Sequence, residues 1–120
     1  MNDRFRFRCF DNDIQKFIVG FRLCDNYNWP NGIIEQCTGL KDKNGELIYE
    51  GDIVKMEAGF MCADIEQVGK PCIVEWGDFG FYFHYPQIEG EKECACWNEC
   101  AEYEVIGNIH ENPELLEVEK

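Results

Sequence analysis

The sequence predicts a mostly β domain: a small barrel or sandwich of about seven or eight short strands, closed by a short C-terminal helix. Three observations carry that prediction. Arg4 to Phe10 alternates strictly between apolar and basic residues, the period that places successive side chains on opposite faces of a strand. Turn-forming groups recur between the apolar runs, at Asp11-Asn12-Asp13, Asn31-Gly32, Asn44-Gly45, Glu50-Gly51 and Gly77-Asp78. Nine Phe, five Tyr and three Trp suit pleated, half-buried surfaces.

In the first strand Phe5, Phe7 and Cys9 share one face and Arg4, Arg6 and Arg8 the other, which is expected to be the open face. Asp11-Asn12-Asp13 supplies a turn whose side chains bond their own backbone, and Lys16 to Leu23 completes a hairpin. Asp25 to Gly32 is a polar loop, and Ile33 to Thr38 a short strand. Lys41 to Gly45 makes a turn in which Asn44-Gly45 accepts positive φ. Leu47-Ile48-Tyr49 and Asp52 to Met56 flank Glu50-Gly51, where a residue without Cβ permits a sharp corner. Glu57 to Pro71 is irregular. Pro71 to Trp76 and Phe79 to Tyr85 form a tight hairpin about Gly77-Asp78.

Gln87 to Glu102 fits neither the strand nor the helix period, and Glu91 to Glu99 is expected to be dispensable for folding. Tyr103 to Ile109 is the last strand. Asn112-Pro113 then opens a short helix with Asn as its N-cap. From Tyr49 to Trp76 the rhythm is that of an SH3-like barrel, an analogy of fold only. No repeat or linker divides the chain, so residues 1–120 read as a single domain.

The charge is lopsided. Of a net −13, residues 1–60 contribute 8 Lys/Arg against 10 Asp/Glu, and residues 61–120 only 3 against 14. An acidic half repels phosphates and anionic headgroups, so neither nucleic acid nor membrane is expected as a partner. No apolar segment follows Met1 to Arg6 and no run has the length of a membrane span, which points to the cytoplasm. The eight cysteines sit mostly in apolar stretches, where a thiol behaves as a small hydrophobe, and are expected to be reduced.

Four segments resemble one family, the phage and prophage proteins named after YopX. Phe5 to Asp11 (FRFRCFD) is similar in part to that family's opening strand. Thr38 to Lys55 (TGLKDKNGELIYEGDIVK) resembles its centre nearly throughout. Ile73 to Phe83 (IVEWGDFGFYF) resembles its strand pair, and Tyr103 to Leu116 (YEVIGNIHENPELL) its end. The segment from Cys94 to Cys100 departs from the family pattern. The resemblance implies a mainly β domain that assembles into homo-oligomers; it implies no activity and supplies no catalytic residues.

Read for chemistry, the chain offers little. It has no Ser, and Thr38 is its one Thr, which excludes a Ser triad. Cys94, Cys96 and Cys100 provide three thiols, and a structural zinc would need a fourth ligand from Cys62, Cys72, His84 or His110. Without a second close pair, no metal or other cofactor is expected. His84 reads as a residue at a strand end and His110 as exposed. Gly39, Gly45, Gly51 and Gly107 fit turns or bends, and Asp42, Glu50 and Asp52 positions where a carboxylate bonds free backbone N–H groups.

Arg4, Arg6, Arg8 and Arg22 on the first hairpin are the one candidate anion-binding group, although they are equally suited to pair with the acidic half of a neighbouring subunit. The expected protein is non-enzymatic, with no catalytic residues. It self-assembles through exposed strand edges and the first hairpin, and has a host protein as a further partner. Two other readings stand beside it. One is a binder of a small, anionic, nucleotide-like host molecule at subunit interfaces. The other is an acidic nucleic-acid mimic that inhibits a host protein.

Overall fold

The computed structural model describes residues 6–19, 32–57, 68–78, 80–88, 94–97 and 102–116. The first sheet begins with the predicted hairpin, β1 (Phe7–Asp11) and β2 (Lys16–Val19), in register from Arg8↔Val19 to Asp11↔Lys16. Its turn is built as the sequence indicates, with the Asp11 carboxylate accepting the Asp13 N–H at 2.9 Å. Strands β3 (Gly32–Lys41) and β4 (Leu47–Tyr49) follow, giving the antiparallel order β2-β1-β3-β4. The first strand differs from expectation on its basic side. Both faces of β1 are covered over residues 8–10: Cys9 is fully buried, and Arg8 and Phe10 on the other side are buried as well.

The second sheet contains β5 (Asp52–Glu57), β6 (Pro71–Gly77), β7 (Gly80–His84), β8 (Cys94–Ala95) and β9 (Glu102–Asn108), in the order β8-β7-β6-β5-β9. Gly77 and Gly80 pair across the tight β6–β7 turn. Along β5 the register steps from Ile53↔Gly107 to Val54↔Val105, so Ile106 is an extra residue that bulges β9. The main core lies under this sheet and includes Val54, Met56, Cys72, Val74, Phe83, Tyr85 and Tyr103, with Ile48 added from β4.

Within the Cys- and Glu-rich segment, β8 pairs with β7, and Trp97 stacks on Tyr103 at 4.4 Å between ring centroids. Tyr103 in turn stacks on Phe83 at 4.8 Å. Residues 94–97 therefore pack against the core, where the sequence leads one to expect a dispensable insert.

The two sheets are joined at Glu50-Gly51. The Glu50 N–H donates to the carbonyl of Gln36 in β3, and the Gly51 N–H to that of Val74 in β6, at 2.9 and 2.8 Å. Gly51 has φ +85°, and a Cβ there would collide with the Glu35 carboxylate, so both backbone and space demand glycine. Asp42 ties the preceding loop to the second sheet: its carboxylate accepts the N–H groups of Asn44, Glu46 and Val105 at 2.9 to 3.0 Å. The expected short terminal helix is a single 3₁₀ turn, Pro113–Leu116. Its Asn112 side chain turns back to accept the Asn108 N–H at 3.3 Å and does not cap the turn.

Candidate functional site

Four ionisable side chains meet where the first sheet faces β5. The ladder sets Arg8 of β1 opposite Glu35 of β3, so both project from the same face. Arg8 donates from Nε to Glu35 Oε1 at 3.0 Å, from Nη2 to the Glu50 carbonyl at 3.2 Å, and its Nη1 lies 2.8 Å from Asp52 Oδ1. All three guanidinium nitrogens are thereby engaged. Its plane is flanked by the rings of Phe17 and Tyr49, at 4.3 and 4.9 Å to their centroids, which adds cation–π attraction in a dry setting. Asp52 is held from its other oxygen by the Tyr49 N–H at 2.8 Å.

The fourth member, His110, comes from the turn after β9. Asn108 builds that turn, its Oδ1 accepting the N–H groups of His110 and Glu111 at 3.0 and 2.9 Å. This places the imidazole flat on Phe10, 4.4 Å between centroids, with Nε2 3.0 Å from Glu35 Oε2. A carboxylate only accepts, so Nε2 carries the proton in this contact. The imidazole is 8% exposed, against the expectation that His110 is open to solvent. Stacking on Phe10 covers it.

One guanidinium faces two carboxylates, so the cluster is short of positive charge. Burial pushes the Asp52 carboxyl up to about 6, opposed by Arg8 and reinforced by Glu35. Burial also raises the Glu50 carboxyl, with the Gln36 backbone opposing it. Two grooves flank the cluster. One, of about 320 Å³, is mostly apolar, with Ile33, Ile34, Ile73 and Ile109 on its walls, Gly51 among its lining residues and carboxylates at Glu35, Glu50 and Glu75. The other, of about 310 Å³, is bordered by Arg8, Phe17, Tyr49 and Asp52. Among the described residues no Cys lines either groove.

The candidates read from the sequence are dispersed. Arg8 is 9% exposed and committed to Glu35 and Asp52 of its own chain, whereas Arg6 is exposed. Arg4 and Arg22 lie outside the described residues, as do Cys62 and Cys100. Cys94 and Cys96 are exposed on and beside β8. Cys72 is buried, its S–H donating to the Val54 carbonyl at 3.1 Å, and burial pushes that thiol up to about 12. Among the described residues no group of three or more His, Cys, Asp or Glu is placed to hold a metal. His84 ends β7, as expected, with Nδ1 2.9 Å from Glu75. Asp42 and Asp52 do accept backbone N–H groups as anticipated, but Asp52 also takes Arg8.

Glu35 and His110 were not legible as partners. The available signal was the period of two along β3, which puts Glu35 on the face of buried Cys37 and so requires a cation for it.

No helix among the described residues is long and apolar enough to cross a membrane. The sequence model of the YopX protein family matches residues 9–117. A curated relative, the SPbeta prophage-derived uncharacterized protein YopX of Bacillus subtilis (strain 168), is 33% identical over 75 residues, 61% of this chain and 52% of that protein. The chain thus spans about half the length of the curated relative it matches. Among solved structures, the fold resembles protein EF1440 from Enterococcus faecalis, at TM-score 0.64 and 27% identity over 93% of this chain and 97% of that one. It also resembles the crystal structure of Bacillus subtilis YopX, at TM-score 0.56 and 21% identity, covering 95% of this chain and 99% of that one. With a family match that runs from the first buried strand to the terminal turn, the chain belongs to the YopX protein family.

Proposed function

We propose that this protein is a non-enzymatic, self-assembling interaction protein of a phage or prophage programme, working in the host cytoplasm. One observation carries the reading. The strongest concentration of polar chemistry, Arg8 with Glu35, Asp52 and His110, is spent on its own contacts, while Ile33, Ile34 and Ile109 stand 43, 50 and 37% exposed beside an adjoining groove. Charged groups that bind each other hold sheets together; apolar groups left in water favour association. Among the described residues β2 ends its sheet and supplies an edge for pairing with another copy, whereas the outer backbone groups of Tyr103 and Val105 in β9 are taken by Lys43 and Asp42. The burial of Arg8 by its own carboxylates weakens the alternative in which the first strand gathers anionic ligands.

Native mass spectrometry of the protein purified from its host tests this. A homo-oligomer free of small ligands is the expected result. A monomer that retains a nucleotide would replace this reading with that of a ligand-binding protein.

A further inference from the structure

The face of the second sheet turned away from its core carries a carboxylate, an imidazole and a thiol side by side. Glu75 of β6 pairs with Tyr82 of β7, and His84 of β7 with Cys94 of β8. Phe83, Ala95 and Trp97 pack on the core, which leaves Tyr82, His84, Cys94 and Cys96 on the outer side. Both Glu75 oxygens are engaged: Oε1 lies 2.9 Å from His84 Nδ1, and Oε2 accepts the Tyr82 hydroxyl at 3.1 Å. A carboxylate only accepts, so Nδ1 carries the ring proton in that contact. Because β7 lies between β6 and β8, holding Nδ1 toward β6 leaves Nε2 on the side of β8. Residues directly opposite one another have Cβ atoms roughly 4.5–5.5 Å apart, a spacing that an imidazole and a thiol can bridge. Cys94 is free and exposed. Of the described thiols it alone stands opposite a histidine. Cys9 faces Ile18 and Ile34, Cys37 faces Tyr49, Cys72 faces Val54, and Cys96 lies past the last rung.

A carboxylate that orients an imidazole, whose other nitrogen lies beside a thiol, converts that thiol into the nucleophilic thiolate. We infer that Cys94 is a site of thiol–disulfide exchange, activated by His84 with Glu75 as a positioning residue, and that its co-reactant is a small disulfide without negative charge. The Cys94 proton passes to Nε2, and the thiolate attacks one sulfur of R–S–S–R. A bond forms between that sulfur and Cys94 Sγ as the R–S–S–R bond breaks. The departing thiolate takes the proton from Nε2 and leaves as R–SH. Cys94 is oxidised and the departing sulfur reduced, so the disulfide is the only oxidant required. Residues 61–120, with 3 Lys/Arg against 14 Asp/Glu, repel an anionic disulfide. This site goes beyond the proposed interaction role and does not depend on self-assembly.

The reduced full chain is treated with bis(2-hydroxyethyl) disulfide at about pH 7, and fragmentation mass spectrometry locates the added group. Cys96→Ser isolates the reaction of Cys94, and Cys94→Ser that of Cys96. Cys94 should react about tenfold faster than Cys96, or more. His84→Asn should lower the Cys94 rate by about tenfold, and Glu75→Gln, which keeps an acceptor but loses the charge, by a smaller factor. The titratable groups on this face are Glu75, Tyr82, His84, Cys94 and Cys96, and Glu35 and Glu50 border the groove that Glu75 also lines. From pH 8 to about pH 6.5 the Cys94 reaction should slow much less than that of Cys96, and His84→Asn should remove the difference.

Equal rates for Cys94 and Cys96 overturn the inference. So does a Cys94 rate that His84→Asn leaves unchanged in a variant with the wild-type urea midpoint. Should His84→Asn fail to fold, Glu75→Gln and the pH profile of the otherwise unaltered chain decide. A Cys94 rate that falls with pH in step with that of Cys96 then refutes activation by the imidazole. Cystamine, a dication, should react faster than anionic oxidised glutathione, and the reverse order would show that the class of co-reactant is wrong.

Discussion

Asp52 offers the clearest quantitative test of the cluster. Its carboxylate is nearly sealed from water, 2.8 Å from Arg8 Nη1 and 2.8 Å from the Tyr49 nitrogen, yet burial outweighs both and raises its pKa from 3.8 to about 6. The folded chain therefore holds the proton more tightly than the unfolded chain between those values. The stabilisation from that proton is fully present below pH 4 and is lost as pH rises through about 6. The whole shift corresponds to about 3 kcal/mol, of which roughly half is present at pH 5.

Other carboxylates titrate in the same range, so the readout is a comparison. Urea unfolding of the wild type and of Asp52→Asn at pH 7.5 and pH 5 should show the wild type gaining on the order of 1 kcal/mol on the variant as pH falls. If the ion pair with Arg8 governed the site instead, the carboxyl would be depressed and the wild type would lose ground on acidification. A constant or reversed difference refutes the reasoning.

Three further outcomes follow from the fold. Gly45 and Gly51 share nearly the same φ, +83° and +85°, but only Gly51 faces a carboxylate, so Gly45→Ala should cost about 1–2 kcal/mol and Gly51→Ala clearly more, by thermal or urea unfolding. Equal costs would show that the Glu35 contact is unimportant. Trp97→Ala should destabilise by about 1–2 kcal/mol, since the indole stacks on Tyr103 at 4.4 Å; an unchanged melting temperature would return the segment around it to the status of an insert. Iodoacetamide at pH 8 should modify exposed Cys96 well before buried Cys72, whose thiol is pushed up to about 12; mass spectrometry showing comparable rates would contradict the burial described.

Strand existence was legible because it rests on local rules. The alternation in Phe7 to Asp11, the Asn44-Gly45 turn and the Gly77-Asp78 hairpin each act over a few residues, and all appear where those rules put them. Which face of β1 is covered was not legible, because it depends on β3 and β5, joined to it through distant turns. Alternation marks two faces but does not say that both are buried when the strand is central. For the same reason Arg8 reads as a surface cation until Glu35, 27 residues away, and Asp52 stand beside it. The Cys-rich segment misled through composition: its glutamates suggest a loop, while one Trp anchors it to the core. The Asn108 turn was not legible, since the run Tyr103 to Ile109 reads as strand throughout and the placing of His110 on Phe10 emerges only when the two ends of the chain are brought together.

Arg8 ties the two sheets together, and urea unfolding of Arg8→Met at pH 7.5 tests that most directly. Removing the cation leaves Glu35 and Asp52 buried without it, so a loss of about 3–5 kcal/mol is predicted, or failure to fold. A variant that unfolds at the wild-type urea midpoint would contradict the account.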